Sequence, residues 1–193
     1  MSNFILYTYQ HTCKKGQPAY ILKEAPFKSL IKKNEFGKIS MPFLGEGFYL
    51  WEENLQAARR WGFKHYQNDY DIVEYSDLQI NKDDLLDFLD RRSLKYFKEL
   101  REIFIAKRPE SVKWKIGVWI EFLKKLNLTD SGKFPFIYFR ADENLPDLQE
   151  NYRIKEKLNF VDGLDYYTYL SPLFIICLLD KKSINCASRK LKT

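Results

Sequence analysis

Apolar residues along this chain follow two different spacings, and the change from one to the other divides it. Over 4–12, 48–51 and 71–80, aromatic and β-branched residues gather in short runs with the composition of strands. Between 83 and 126 the spacing turns helical. Leu85, Leu86 and Leu89 read as one helix, Leu94, Phe97, Leu100, Phe104 and Ile105 as a second, and Val112, Ile116, Trp119, Ile120 and Leu123 as a third, with Pro109 before the last. Strand character resumes over 133–139 and 152–160, and 166–179 is the most strand-like stretch, broken at Ser171-Pro172. The unbroken apolar run 173–179 predicts a central strand buried on both faces. Together these predict one α+β domain over 1–193 with a helical insertion at about 83–126.

Punctuation residues sharpen the first third. Pro18 suits the first turn of a helix over 19–24, which Ala25-Pro26 ends because a residue before proline avoids the helical region. A basic loop over 28–42 follows. Phe43-Leu44-Gly45-Glu46-Gly47-Phe48-Tyr49-Leu50-Trp51 then reads as a glycine-rich turn entering a strand whose aromatic side chains alternate between faces. A helix is expected over 52–61, with Gly62 as its stop.

Composition narrows the class. Aromatics at 17% and apolar residues at 45% belong to a folded chain rather than a disordered one. A net charge of +6 fits an anionic partner, although the lysines are scattered and several lie in a solvated end at 181–192. Cys13, Cys177 and Cys186 are odd in number and lack metal-ligand spacing, so reduced thiols in a cytoplasmic setting are expected. No secretory signal and no membrane-length apolar run is read from the sequence. His65 has no partner at metal spacing, and there is no Walker loop, no GxGxxG fingerprint and no nucleophile elbow.

Two stretches carry candidate chemistry. Gln10-His11-Thr12-Cys13 followed by Ala19-Tyr20-Ile21-Leu22 resembles the opening of ADP-ribosyltransferase domains, where a strand ending in His-Gly-Ser or His-Gly-Thr precedes a helix carrying Ile-Leu. Here Thr12 stands in place of that Gly. Phe43 to Leu50 resembles the Phe-Gly-x-Gly-Phe-Tyr-Leu form of small bacterial domains in the poly(ADP-ribose) polymerase and diphtheria-toxin branch, and Gln56-Ala57-Ala58-Arg59-Arg60-Trp61 matches the Gln-Ala-x-x-Trp helix after it.

The resemblance implies a split core of two small sheets around a cleft for NAD. It implies that His11 holds an adenosine-side ribose, Thr12 offers backbone groups to the nicotinamide amide, and Tyr49 stacks on the nicotinamide ring. Phe48 belongs to the same cofactor-binding set, and Trp61 is the candidate second wall. The family's late-strand Glu is missing, because aligning 173–180 puts Ile175 or a neighbour there. The catalytic set is then His11, Tyr49 and an acid from elsewhere, Glu143, with Glu150 and Glu156 as equal candidates. The implied activity is mono-ADP-ribosyl transfer to a macromolecular acceptor by an intracellular toxin or phage-defence effector, with an antitoxin protein as possible partner and no membrane. Two other readings stand beside it: a silent module that binds NAD or ADP-ribose, and a basic domain that binds nucleic acid.

Overall fold

In chain order the computed structural model runs β1 (Phe4–Lys14), α1 (Pro18–Glu24), three two-residue strands β2 (Lys28–Ser29), β3 (Lys32–Lys33) and β4 (Ile39–Ser40), then β5 (Gly47–Glu52), α2 (Leu55–Tyr66) and β6 (Tyr70–Asn81). The helical layer follows as β7 (Leu85–Asp87), α3 (Arg91–Lys107) and α4 (Ile116–Thr129). The chain then continues through β8 (Tyr138–Asp142), β9 (Lys157–Asn159), β10 (Tyr167–Tyr169), β11 (Phe174–Leu178) and β12 (Ser188–Lys192). The structure describes residues 4–33, 35–129, 132, 134–142, 157–159, 167–169 and 172–192.

The sheet is continuous where the sequence reading expected two. Its order is β12-β6-β1-β5-β11-β8-β7, with β2 beside β5, and every pairing is antiparallel except β7 with β8. It does, however, fork. β1 follows β6 from Phe4 opposite Asn81 to Lys14 opposite Tyr70, but meets β5 only at Tyr9 opposite Glu52 and Gln10 opposite Trp51. Beyond that point β5 turns its free edge to β2, with Lys28 opposite Phe48 and Ser29 opposite Gly47.

Strand alternation sends side chains into two cores. Leu50, Ile176 and Leu178 join Tyr9, Val73 and Tyr75 on one face, while Trp51, Ile175 and Cys177 join Leu44, Trp119, Ile120 and Phe139 on the other. β11 lies between β5 and β8 and is buried from Ile175 through Leu178, the central two-sided strand that its unbroken apolar run predicts.

Two helix boundaries differ from the sequence reading. Leu85 and Leu86 are strand residues facing opposite cores, since a 3₁₀ turn at Lys82–Asp84, in which the Asn81 side chain accepts from the Asp83 N–H, ends just before β7 pairs with β8. Three leucines at that spacing fit a short strand as well as a helix. α2 begins later and runs further than expected. Asn54 caps it by accepting from the Ala57 N–H at 2.8 Å, and Gly62 lies inside it. A Cβ on Gly62 would stand 2.6 Å from the Tyr70 ring and 2.8 Å from Thr12, so this glycine serves close packing of α2 on β1 and β6.

Glu52, expected at the start of that helix, instead ends β5 and is buried. Arg140 grips both its carboxylate oxygens, Nη2 to Oε1 at 2.5 Å and Nε to Oε2 at 2.7 Å, and reaches Asp87 with Nη1 at 3.0 Å. The guanidinium also lies 4.9 Å from the centre of the Phe174 ring. This cluster joins β5, β7, β8 and β11. Removing the cation strands the buried Glu52 carboxylate and the half-buried Asp87, so Arg140→Met should lower the unfolding free energy by about 3–5 kcal/mol in urea titration at neutral pH. Adding Glu52→Gln to that variant should restore part of the loss, and no recovery would show that the carboxylate is not the source of the penalty.

Candidate functional site

His11 stands where the sheet forks. Its Nδ1 is 2.9 Å from the Tyr49 carbonyl of β5, and its Nε2 is 3.1 Å from the main-chain nitrogen of Phe27, just before β2. The partners fix the tautomer: a carbonyl can only accept, so Nδ1 carries the proton, and Nε2 accepts from the Phe27 N–H. Burial holds the imidazole neutral, with its pKa lowered to about 4, the bond to Tyr49 opposing this and Lys181 assisting it.

The fork opens into a cleft of about 600 Å³, within the usual range for a small-ligand site. His11 and Thr12 line it from β1, Tyr49 and Trp51 from β5, and Trp61 and Tyr66 from α2. Tyr20 and Phe27 add a further pair of rings, stacked at 6.2 Å, with His11 6.1 Å from Phe27. Trp61 is braced by His65 at 4.2 Å and Tyr66 at 5.7 Å between ring centres.

Tyr49 is held from its far end. Its hydroxyl donates to the Gly45 carbonyl at 2.6 Å and accepts from the Leu44 N–H at 2.7 Å, and burial, then the neighbouring Cys177, raises its pKa. The phenol is therefore no base. Thr12 donates its hydroxyl to the Ala58 carbonyl at 2.9 Å, tying β1 to α2. Burial raises the Cys13 thiol to about 12, with Asp71 adding to the effect, so it stays protonated at neutral pH.

His11, Thr12, Tyr49 and Trp61, distant in sequence, thus face one cleft. Phe48 does not. Strand alternation turns it to the opposite core, under the Lys181 ammonium at 5.3 Å, so it is corrected from a cleft residue to a packing residue. Both ring nitrogens of His11 are taken by main-chain groups, so a ribose hydroxyl would have to displace the Phe27 N–H to reach Nε2. Ile175 lines the cleft from β11, opposite Trp51. Glu143, Glu150 and Glu156 lie outside the described residues.

Sequence reasoning placed a basic loop over 28–42 but did not bring Lys28 and Lys32 together with Lys14 and Lys15 at this site. Lys14, Lys15, Lys28 and Lys32 line the cleft and are exposed, and among the described lining residues there is no Asp or Glu. Lys14 stands 4.0 Å from Asp69 across an exposed gap. Trp51 was recoverable from alternation, being two residues beyond Tyr49. Nothing local marks Phe27, Lys14 or Lys15 as part of the site. Among the described residues no cluster of His, Cys, Asp and Glu is arranged to hold a metal, and no helix is long and apolar enough to cross a membrane. Comparison with family models, curated proteins and solved structures found no match to the chain.

The state of His11 sets a pH dependence. Its pKa is lowered from 6.5 unfolded to about 4 folded, so its contribution is complete above pH 6.5 and lost as the pH falls toward 4, where the unfolded chain binds the extra proton. The gap corresponds to about 3 kcal/mol. The difference in unfolding free energy between the native protein and His11→Gln should shrink by roughly that amount between pH 7 and pH 4. Parallel curves would show that His11 is not buried neutral.

Proposed function

We propose that this chain is an ADP-ribosyltransferase-like domain that binds NAD in the cleft of the forked sheet. The observation that carries the reading is the meeting of His11, Thr12, Tyr49 and Trp61 in one cavity of suitable size, the residues to which the motif resemblance assigns the dinucleotide. In this reading Tyr49 and Trp61 provide the apolar walls for the nicotinamide end. Lysines at the mouth attract the pyrophosphate.

Binding is better supported than transfer. Cleaving the nicotinamide–ribose bond develops positive charge on the ribose, and such sites place a carboxylate against it. Ile175 occupies the cleft-facing position on β11, and no described lining residue supplies an acid. The reading favoured by the geometry is therefore a module that holds NAD or ADP-ribose. Mono-ADP-ribosyl transfer to a macromolecular acceptor is the second reading and needs an acid from Glu143, Glu150 or Glu156.

Calorimetry with NAD and with ADP-ribose tests the site. Trp61→Ala should weaken NAD binding by about 1–3 kcal/mol, the scale of one aromatic–base stack, while Tyr49→Phe, which keeps the ring, should leave it within a few-fold. Unchanged affinity in Trp61→Ala would remove the proposed wall, and no NAD binding by the native protein would end the reading.

Nicotinamide release separates binder from enzyme. A binder retains NAD without releasing nicotinamide. If release is seen, changing Glu143, Glu150 and Glu156 together to Gln should slow it by on the order of 10²–10³, as loss of one preorganised electrostatic group does. Full activity in that triple variant would place the acid elsewhere.

A further inference from the structure

α1 and the segment between α1 and β5 carry exposed apolar side chains, and those of Tyr20 and Phe43 lie at the cleft. β3 and β4 form a separate hairpin, Lys32 opposite Ser40 and Lys33 opposite Ile39, with Phe36 in its connecting loop. Phe36 is 91% exposed, and Phe43 and Tyr20, both of which line the cleft, are 42% and 57% exposed. Tyr20 stacks on Phe27 with ring centres 6.2 Å apart, and Tyr20 and Phe43 both leave apolar ring surface open to water at the cleft. Lysines line the same cleft from two sides: Lys14 and Lys15 from the end of β1, and Lys28 and Lys32 from β2 and β3. Lys15, Lys28 and Lys32 form no ion pair with a described carboxylate.

We propose that the cleft mouth is a track for single-stranded nucleic acid, with these lysines on the phosphates and Tyr20 and Phe43 as stacking platforms for bases. Cations interleaved with exposed rings are the chemistry that binds single strands with little sequence preference. The absence of a described acid from the lining sets the sign of the partner. Its form follows from space. A duplex keeps its base faces stacked inside and cannot offer them to Tyr20 or Phe43, whereas an unpaired strand can enter a cavity of about 600 Å³ one base at a time. The inference names the macromolecular partner of the cleft proposed above to hold NAD, and it uses residues other than Tyr49 and Trp61, so the two can fail separately.

The test is fluorescence anisotropy of the full chain with a labelled mixed-sequence single-stranded 12-mer, its duplex, and anionic phospholipid vesicles as competitor, without NAD. The single strand should bind more tightly than the duplex, and vesicles should not displace it. Changing Lys15, Lys28 and Lys32 together to Gln should flatten the slope of log affinity against log salt by about 2, three phosphate contacts at about 0.7 each. Changing Lys95, Lys98 and Lys113 of the helical layer to Gln should not. Tyr20→Ala and Phe43→Ala should each weaken binding by about 5- to 100-fold, with circular dichroism verifying the fold.

Equal loss in both lysine sets, preference for the duplex, displacement by vesicles, or no binding each overturns the proposal. If the Lys15, Lys28 and Lys32 variant loses NAD but keeps the strand, the lysines serve the dinucleotide and the proposal fails while the NAD reading stands. Strand binding in a protein that does not bind NAD leaves this proposal standing and ends the other.

Discussion

One neutral imidazole holds the forked sheet at its branch point. Antiparallel strands normally satisfy each other's main-chain groups, and a fork leaves some of them facing a gap. His11 bridges that gap with the two-sided capacity of a neutral imidazole, donating to the Tyr49 carbonyl and accepting from the Phe27 N–H. Lysine offers donors alone, and a carboxylate accepts alone. The price is a residue that must stay unprotonated, which burial ensures. The cleft exists because β1 and β5 part here, so the group that closes the hydrogen bonding of the fork also shapes the wall of the site.

A second device fixes the other side. The turn before β5 is clamped between strand and helix: the Tyr49 hydroxyl bonds Leu44 and Gly45, Glu121 of α4 accepts from the Glu46 N–H at 2.6 Å, and Lys124 reaches the Glu46 carbonyl at 3.3 Å. Gly45 has φ of +82°, and a Cβ there would lie 2.5 Å from Glu121. Gly117 lets α4 approach the same turn, since its Cβ would meet the Pro42 carbonyl at 2.4 Å. A Cβ on Gly47 would likewise stand 2.8 Å from the Leu178 carbonyl, so packing explains both glycines of the motif. They hold the Tyr49 ring at a fixed height in the cleft.

What could be read in the sequence follows from how local each signal is. β1, β5, β6 and β11 were legible because strand composition and an unbroken apolar run are local properties, and Pro18 opens α1 for a local steric reason. The convergence of His11, Thr12, Tyr49 and Trp61 was legible through motif order. Phe48 was misplaced because a motif names neighbours without assigning them to faces, although alternation with Tyr49 already separates them. Glu52 was read as a helix-start residue because its partner Arg140 is 88 residues away, and no local pattern announces a buried ion pair at that range. The lysine rim belongs to the same class. Four residues from three strands and one loop become a site only when the sheet folds.

The sign of that rim bears on the chemistry as well as on the ligand. For a separation on the order of 10 Å and an effective dielectric between that of the protein surface and water, each ammonium disfavours a developing unit positive charge by about 0.4–1.7 kcal/mol, and favours a pyrophosphate charge by a similar amount. Lys15, Lys28 and Lys32 act together, with no described acid in the lining to oppose them, while Lys14 is offset by Asp69 at 4.0 Å. For the dinucleotide proposed above, such a cleft would stabilise the bound ground state and oppose the cationic ribose formed as nicotinamide leaves. Catalysis needs the reverse ordering, a transition state held more tightly than the ground state. A carboxylate brought against the ribose can restore it, because one opposite charge at contact distance outweighs several lysines screened at the rim. Under the proposed NAD reading, the apolar Ile175 and the cationic mouth therefore act in the same direction, favouring retention of the ligand over its cleavage.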